Sequence, residues 1–422
     1  MDFQFIHAAD IHLDSPLQGL ERYDDAPVAE VRVAPRKAFE NLVQLAIEEE
    51  VAFVLLAGDL YDGDWKDYRT GIFFVSQMKK LEAAGISVHL VSGNHDAVSQ
   101  ITKKLSLPEN VTHYSSRKPQ TVLISELGVA IHGQSFAGRS VTEDLSAGYP
   151  DGEPGRLDIG LLHTSLDGRE GHAPYAPCSA EGLKTKGYDY WALGHVHRRE
   201  IVSEDPWIVF PGNLQGRHAR ETGGKGCSLI RVEDGTIVDV THRDLDVVRW
   251  AQVQVDLSGI ARVEDSLDAV SEALENAIDS AEGRMVAARL VLEGATPVHD
   301  DLLRESGRFI HEYRSLASEL GAAGVWLEKI VFKTRRARDL ATELAREDAL
   351  GDLLRSVASL EATDDEIAAL GGAFADLKKK LPAALAGGDE PIDPVDPAYL
   401  RAALPGARDL ALARLLDAEE GA

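Results

Sequence analysis

Five short apolar runs in this chain each stop abruptly on side chains able to bind a metal ion, and they constrain its fold more than any other feature. Residues 3–13 (FQFIHAADIHL) lead to Asp10 and His12, and residues 51–62 (VAFVLLAGDLYD) carry Asp59. Residues 87–96 (SVHLVSGNHD) carry Asn94, residues 159–163 (IGLLH) end on His163, and residues 188–197 (YDYWALGHVH) close on His195 and His197. The run VAFVLLAG is apolar throughout, as in a strand buried on both faces. Residues 36–50 and 72–84 have apolar side chains at helical spacing instead. After residue 120 strand-like runs follow one another closely, so the spacing predicts a sheet-rich, layered α/β architecture.

In open α/β sheets functional groups collect just beyond the carboxyl ends of strands, and every candidate ligand sits at such a point. Asp10 and His12, like His195 and His197, are two residues apart, which in extended chain turns both side chains to one side. Gly58, Gly93 and Gly194 each precede a ligand, where a sharp turn or a close backbone approach is needed. Two Asp, one Asn and four His are too many donors for one tetrahedral ion and suit two ions sharing a carboxylate. Oxygen and imidazole donors without thiolate favour Mn, Fe or Zn over Ca or Mg. Two such ions, about 3.5–4 Å apart, activate water as hydroxide and clamp the oxygens of a phosphoryl displacement. His95, beside a ligand, has the side chain best matched to proton transfer near neutral pH. Asp96 reads as a turn-stabilising carboxylate, His7 as packing, and His132 as either lining the site or capping a strand.

The 422 residues exceed one ordinary core, so two or three domains are expected. Near residue 249 the pattern changes to strand, helix, strand, helix, strand, and beyond residue 338 the chain is Ala- and Leu-rich and helical. The expected division is therefore 1–247, a small α+β domain at 248–336, and a helical region at 337–422. The last contains an acidic Pro-rich linker (387–397) and closes on a short helix from 398 to about 419. No signal peptide and no apolar stretch of membrane-spanning length is visible, so a cytoplasmic protein with no membrane partner is expected. The two cysteines, Cys178 and Cys227, form no CxxC pattern, which argues against a disulfide framework or a thiolate zinc site. The net charge of −26 divides into −12 over residues 1–250 and −14 over 251–422. That balance disfavours non-specific affinity for nucleic acid, although bound cations would neutralise part of the acid.

The motifs DxH (10–12), GDxxD (58–62), GNHD (93–96), His163 and GHxH (194–197) together resemble the full signature of calcineurin-like metallophosphoesterases. Within that family, FIHAADIHLD (5–14), IHGQSF (131–136) and PGNLQGRHARETGGKG (211–226) resemble the SbcD-type DNA-repair exonucleases, especially the YhaO-like branch. The resemblance implies an α-β-β-α sandwich with a small α+β cap and a helical C-terminal region. It implies that Asp10, His12 and His197 hold one ion, that Asn94, His163 and His195 hold the other, and that Asp59 bridges them. His95 would face substrate as proton donor, oriented by Asp62. The implied activity is a Mn²⁺-dependent 3′–5′ exonuclease acting on DNA. A long coiled-coil ATPase of the SbcC type is the implied partner, docking on the C-terminal helices, and a homodimer is a further expectation. This chain has no P-loop of its own.

Arg198, Arg217, His218 and Arg220 follow GHVH or lie on the next Gly-rich loop, where phosphate-backbone contacts would come from. A second basic run occupies 333–338. Two rival readings share the same motifs: a phosphodiesterase for a small nucleotide-type substrate, and a DNA-end-binding regulatory partner of the ATPase.

Overall fold

The computed structural model describes all residues except 16–26, 63–67, 99–105, 168–174, 321–323, 338–343, 360, 382–391 and 421–422. Residues 387–391 of the acidic linker and the last residue of the basic run 333–338 therefore lie outside the described residues. The chain forms two compact units that divide after Ala251. Among the described residues no helix is long and apolar enough to cross a membrane.

The first unit begins with β1 (Phe3–Ala8), α1 (Val28–Glu48), β2 (Phe53–Ala57), α2 (Tyr68–Ala83), β3 (Ser87–Val91) and β4 (Val111–His113). It continues with β5 (Gln120–Ile124), β6 (Val129–Gly133), β7 (Leu157–His163), the short α3 (Ala180–Lys184) and β8 (Tyr190–Gly194). β9 (Glu200–Glu204), β10 (Trp207–Phe210), β11 (Gly226–Glu233) and β12 (Thr236–Asp244) complete it. One sheet has the order β12-β11-β1-β2-β3-β4 and the other β5-β6-β7-β8-β10-β9. β1, β2, β3 and β4 run parallel, as do β6, β7, β8 and β10. The strands carrying the five motifs are thus central, and the parallel pairings turn their carboxyl ends to a common side within each sheet.

Alternation along β2 shows how the layers form. Phe53, Leu55 and Ala57 face Val129, Ile159, Leu161 and Tyr190 of the second sheet in one buried cluster. Val54 and Leu56 point the other way, onto Phe39, Leu42 and Val43 of α1 and Phe74 and Met78 of α2. Both faces of the strand are therefore dry, which is why its sequence lacks polar alternation. The far side of the second sheet packs Leu162, Trp191, Leu193 and Phe210 against Tyr149, Leu183 and Tyr188. The α/β sandwich with sheets flanked by helices is as expected.

α1 starts well before the helix expected at 36–50 and runs through Pro35. A proline inside a helix leaves one backbone hydrogen bond unmade. The helix passes it because Val31, Ala34, Ala38 and Leu42 are all buried on one stripe, and that packing outweighs the lost hydrogen bond.

His7, inside β1, is fully buried between the sheets. One ring nitrogen faces the Tyr190 hydroxyl at 3.0 Å, and the other donates to the Leu193 carbonyl at 3.1 Å. Burial pushes its pKa down to about 3. A histidine with a depressed native pKa favours folding above its unfolded value near 6.5, and this contribution is lost as pH falls from there towards 3. At pH 4 the loss from this one group is about 3 kcal/mol. Thermal melts at pH 7 and pH 4 are expected to show a steep acid loss, shallower in His7→Gln. An equal pH slope in that variant would contradict the assignment.

The second unit holds a three-stranded sheet in the order β13-β14-β15, from β13 (Val248–Asp256), β14 (Met285–Thr296) and β15 (Val325–Arg336). β14 and β15 are parallel. Between them α4 (Ser266–Ser280), α5 (His299–Arg304) and α6 (Ser306–Glu319) supply buried Val270, Leu274, Phe309 and Tyr313. The helical C-terminal region follows as α7 (Ala349–Ala358), α8 (Asp364–Ala373), α9 (Ala375–Lys380) and α10 (Pro397–Glu420). Asp348 caps α7 through Gly351 N at 2.7 Å, and Thr363 with Glu366 forms a capping box on α8. Leu354 and Leu412 pair α7 with α10. The closing helix, expected from 398 to about 419, spans Pro397–Glu420 and contains Pro405.

Candidate metal centre

The predicted ligands lie at or just beyond the carboxyl ends of β1, β2, β3, β7 and β8, where the two sheets meet. Asp10 N donates to Gly58 O at 3.1 Å and His12 N to Asp59 O at 3.0 Å, which locks the first motif onto the second. Thr164 N donates to Gly194 O at 3.1 Å and ties the fourth to the fifth. A Cβ on Gly58 would lie 2.4 Å from His163 Nδ1, and one on Gly194 would lie 1.9 Å from Ala57 O. Only glycine lets these backbones approach so closely.

Asp10 and His12 do not lie in the extended chain that their two-residue spacing predicts. Both have left-handed φ, 50° and 47°, as does Asp59 at 50°, while His195 sits at 106°. The strands end first, and the ligands ride on strained loops. Strain of this kind costs about 1–3 kcal/mol per residue and persists only where surrounding bonds over-determine it. The amide pairings above are such bonds, and His195 N adds another by donating to Asp10 Oδ2 at 2.9 Å.

Three clusters emerge, each with donor atoms within 4.8 Å of one another: Asp10, His12 and His197; Asp59, His163 and His195; and His12, Asp62 and His95. In the first, the Nε2 atoms of His12 and His197 face each other at 3.2 Å. In the second, His163 donates Nδ1–H to Ala57 O at 2.9 Å, which turns Nε2 towards Asn94 Oδ1 at 3.0 Å and Asp59 Oδ2 at 3.5 Å. These two clusters fit divalent ions, because buried carboxylates and imidazoles present lone pairs to a common point. Burial, reinforced by Asp59, raises the pKa of Asp10 well above the usual carboxylate range, and burial likewise raises Asp59. Divalent cations relieve both costs. Asp59 groups with the second cluster, and its Oδ1 also accepts the His95 amide at 2.9 Å.

The third cluster is of another kind. His95 Nδ1 donates to Asp62 Oδ1 at 2.6 Å, a hydrogen bond that leaves no room for an ion between them. That bond raises the pKa of His95, while burial opposes it. For Asp62, burial pushes upward but is outweighed by hydrogen bonds from His95 and Ser15 and by Arg217, so its pKa falls to about 2. Asp96, read as a turn residue, accepts Leu60 N, Tyr61 N and Gly93 N, and so clamps the second and third motifs together.

The residues read as DNA contacts separate. Arg217 reaches Asp62 Oδ2 at 3.4 Å, and its buried Nε meets no hydrogen-bond acceptor among the described residues, so it belongs to the site. His218 is half-buried, 3.5 Å from Glu221 Oε1, while Arg198 and Arg220 are exposed. His132 does not line the site. It is buried in β6, bonded to Thr121 and to Asp158 at 2.8 Å each. Sequence reasoning missed Glu221, whose carboxylate accepts His197 Nδ1–H at 2.6 Å. Its position inside RHARETGGKG was the only signal, and nothing local marks it from other surface acids. Burial raises its pKa, but the His197 bond and Arg217 hold it well below the usual range.

Comparison with known proteins bears on what this centre is. Residues 3–199 match the calcineurin-like phosphoesterase family, and residues 250–335 match the middle domain of metallophosphoesterase YhaO. The chain is 36% identical over 302 residues to the uncharacterized metallophosphoesterase YhaO of Bacillus subtilis (strain 168), covering 70% of this chain and 73% of that protein. The chain belongs to the calcineurin-like metallophosphoesterases. It is also 25% identical to the DNA double-strand break repair protein Mre11 of Methanopyrus kandleri, over 60% of this chain and 59% of that protein. The Mre11 of Haloferax volcanii is 26% identical over 65% of this chain and 59% of that protein. The chain thus spans about three fifths of these Mre11 proteins. As a metallophosphoesterase it works with divalent ions, for which the two Asp/His clusters are candidate sites.

Proposed function

We propose that this metallophosphoesterase is a DNA nuclease, hydrolysing phosphodiester bonds from 3′ ends with two manganese ions. Asp10, His12 and His197 would hold one ion and Asn94, His163 and His195 the other, with Asp59 common to both. Bound ions would supply an activated water and neutralise charge on the scissile phosphate. Among the chain's own groups, His95 faces the leaving oxygen and delivers a proton from Nε2, with Nδ1 held by Asp62. Arg217 stands beside this dyad, positioned to meet a non-bridging oxygen.

The observation that carries the reading is a pair of exposed arginines in an otherwise acidic chain. Arg198 follows His197 in the chain and Arg220 precedes Glu221, and both are exposed, so both are candidates for contacts to phosphates flanking the scissile one. Relatedness to Mre11 proteins supports the same substrate. We further propose cytoplasmic action with a coiled-coil ATPase of the SbcC type, docked on the C-terminal helices.

Purified protein with labelled duplex and single-stranded DNA and Mn²⁺ is expected to shorten the strands from 3′ ends. Asn94→Ala should abolish this. Turnover of a small phosphodiester without any DNA cleavage would overturn the nuclease reading in favour of a small nucleotide-type substrate.

A further inference from the structure

We infer that Glu221 is the positioning residue that fixes the tautomer of His197 and, with its other oxygen, holds the backbone of Arg217 beside the His95–Asp62 dyad. It lies outside the ligand set, yet one carboxylate would join the first ion cluster to the proton-donating pair.

The two oxygens of Glu221 serve different partners. Oε1 accepts His197 Nδ1–H at 2.6 Å, while Oε2 accepts Asn213 Nδ2–H at 2.8 Å and Arg217 N–H at 2.7 Å. Asn213 itself bridges back to Ala9 at the end of β1. A carboxylate accepts and does not donate, so the proton of a neutral His197 sits on Nδ1. Nε2 is left with its lone pair at the point that it shares with His12 Nε2, 3.2 Å away. A carboxylate behind an imidazole in this way orients the ring and strengthens it as a ligand. In the second cluster the corresponding task falls to a backbone carbonyl, Ala57 O behind His163, which no side-chain change removes. The first cluster relies on a side chain instead. Glu221 is only 8% exposed, on a loop closed by its own amide donating to His218 O at 2.9 Å.

Glutamine cannot replace it. One amide oxygen serves either His197 or the Asn213 and Arg217 donors, and the NH₂ group must then face the other side. Facing His197, it favours the opposite tautomer and places a proton on Nε2. Facing the donors, it frees the loop that carries Arg217.

The inference rests on the family's ion site at Asp10, His12 and His197 and holds whether or not DNA is the substrate, because its readout is ion affinity. Calorimetric titration with Mn²⁺ is expected to show that Glu221→Gln binds one of its two ions about 10- to 100-fold less tightly than wild type. In a His197→Ala background the same change should add almost nothing, since the two act through one bond. Unchanged affinity in Glu221→Gln, or an equal loss in both backgrounds, would overturn the assignment. A third measurement needs no variant. Nitrogen-detected NMR of the ion-free wild-type protein is expected to show His197 protonated at Nδ1, and an Nε2–H tautomer would equally overturn it.

Discussion

Asp59→Asn is expected to abolish phosphoester turnover while leaving the fold intact. The side chain is 1% exposed, and its two oxygens have different neighbours: Oδ1 takes the His95 amide at 2.9 Å and Oδ2 lies 3.5 Å from His163 Nε2. Asparagine keeps the shape but removes the charge and turns one acceptor into a donor. On the proposed role of Asp59 as a carboxylate common to both ions, this change removes the shared charge and is expected to cost one of them. Turnover of bis(p-nitrophenyl) phosphate should fall by about 10³-fold or more, the scale of losing some 4 kcal/mol of charge stabilisation. Metal analysis should find two ions per wild-type chain and at most one in the variant. Burial raises the pKa of Asp59, so the ionised carboxylate is costly to the ion-free fold at neutral pH. Ion-free Asp59→Asn should therefore melt no lower than wild type. A variant with two ions and normal turnover would remove Asp59 from the bridging position.

The second large effect is expected at His95, and its signature differs. His95→Asn should lower kcat by about 10²- to 10⁴-fold, the usual worth of a positioned proton donor, with ion content unchanged. Its Nδ1 is bonded to Asp62 at 2.6 Å, and the ring is not at the centre of either ion cluster. Because Asp62 raises the pKa of His95, the protonated donor survives to higher pH than a free imidazole. Asp62→Asn removes that support, so the alkaline limb of kcat/KM should move to lower pH. Loss of ions in His95→Asn, or an alkaline limb that does not move in Asp62→Asn, would make these residues structural.

The ligand candidates were legible because each is a local event. An apolar run written for a buried strand ends on Asp, Asn or His, and the parallel pairing of β1 with β2, β2 with β3 and β7 with β8 aligns those ends within each sheet. Asp10 and His12 were placed together for the wrong reason, however. They converge through left-handed backbone, with φ of 50° and 47°, and not through the two-residue alternation of extended chain. Strain held by hydrogen bonds to Gly58 O and Asp59 O cannot be read from the first motif, because both acceptors belong to the second.

The sequence by itself therefore determined the strands, the five strand-end motifs and the glycines that let them close, since burial pattern and turn chemistry act within a few residues. Only the tertiary structure decided which side chains serve the ligands. Glu221 reaches His197 across 24 residues, and Arg217 reaches Asp62 across 155. Hydrogen bonds are short-ranged and directional, so their partners are chosen by strand order and loop return rather than by neighbours in sequence. His132, promising in its motif, was for the same reason drawn away from the site and bonded to Asp158.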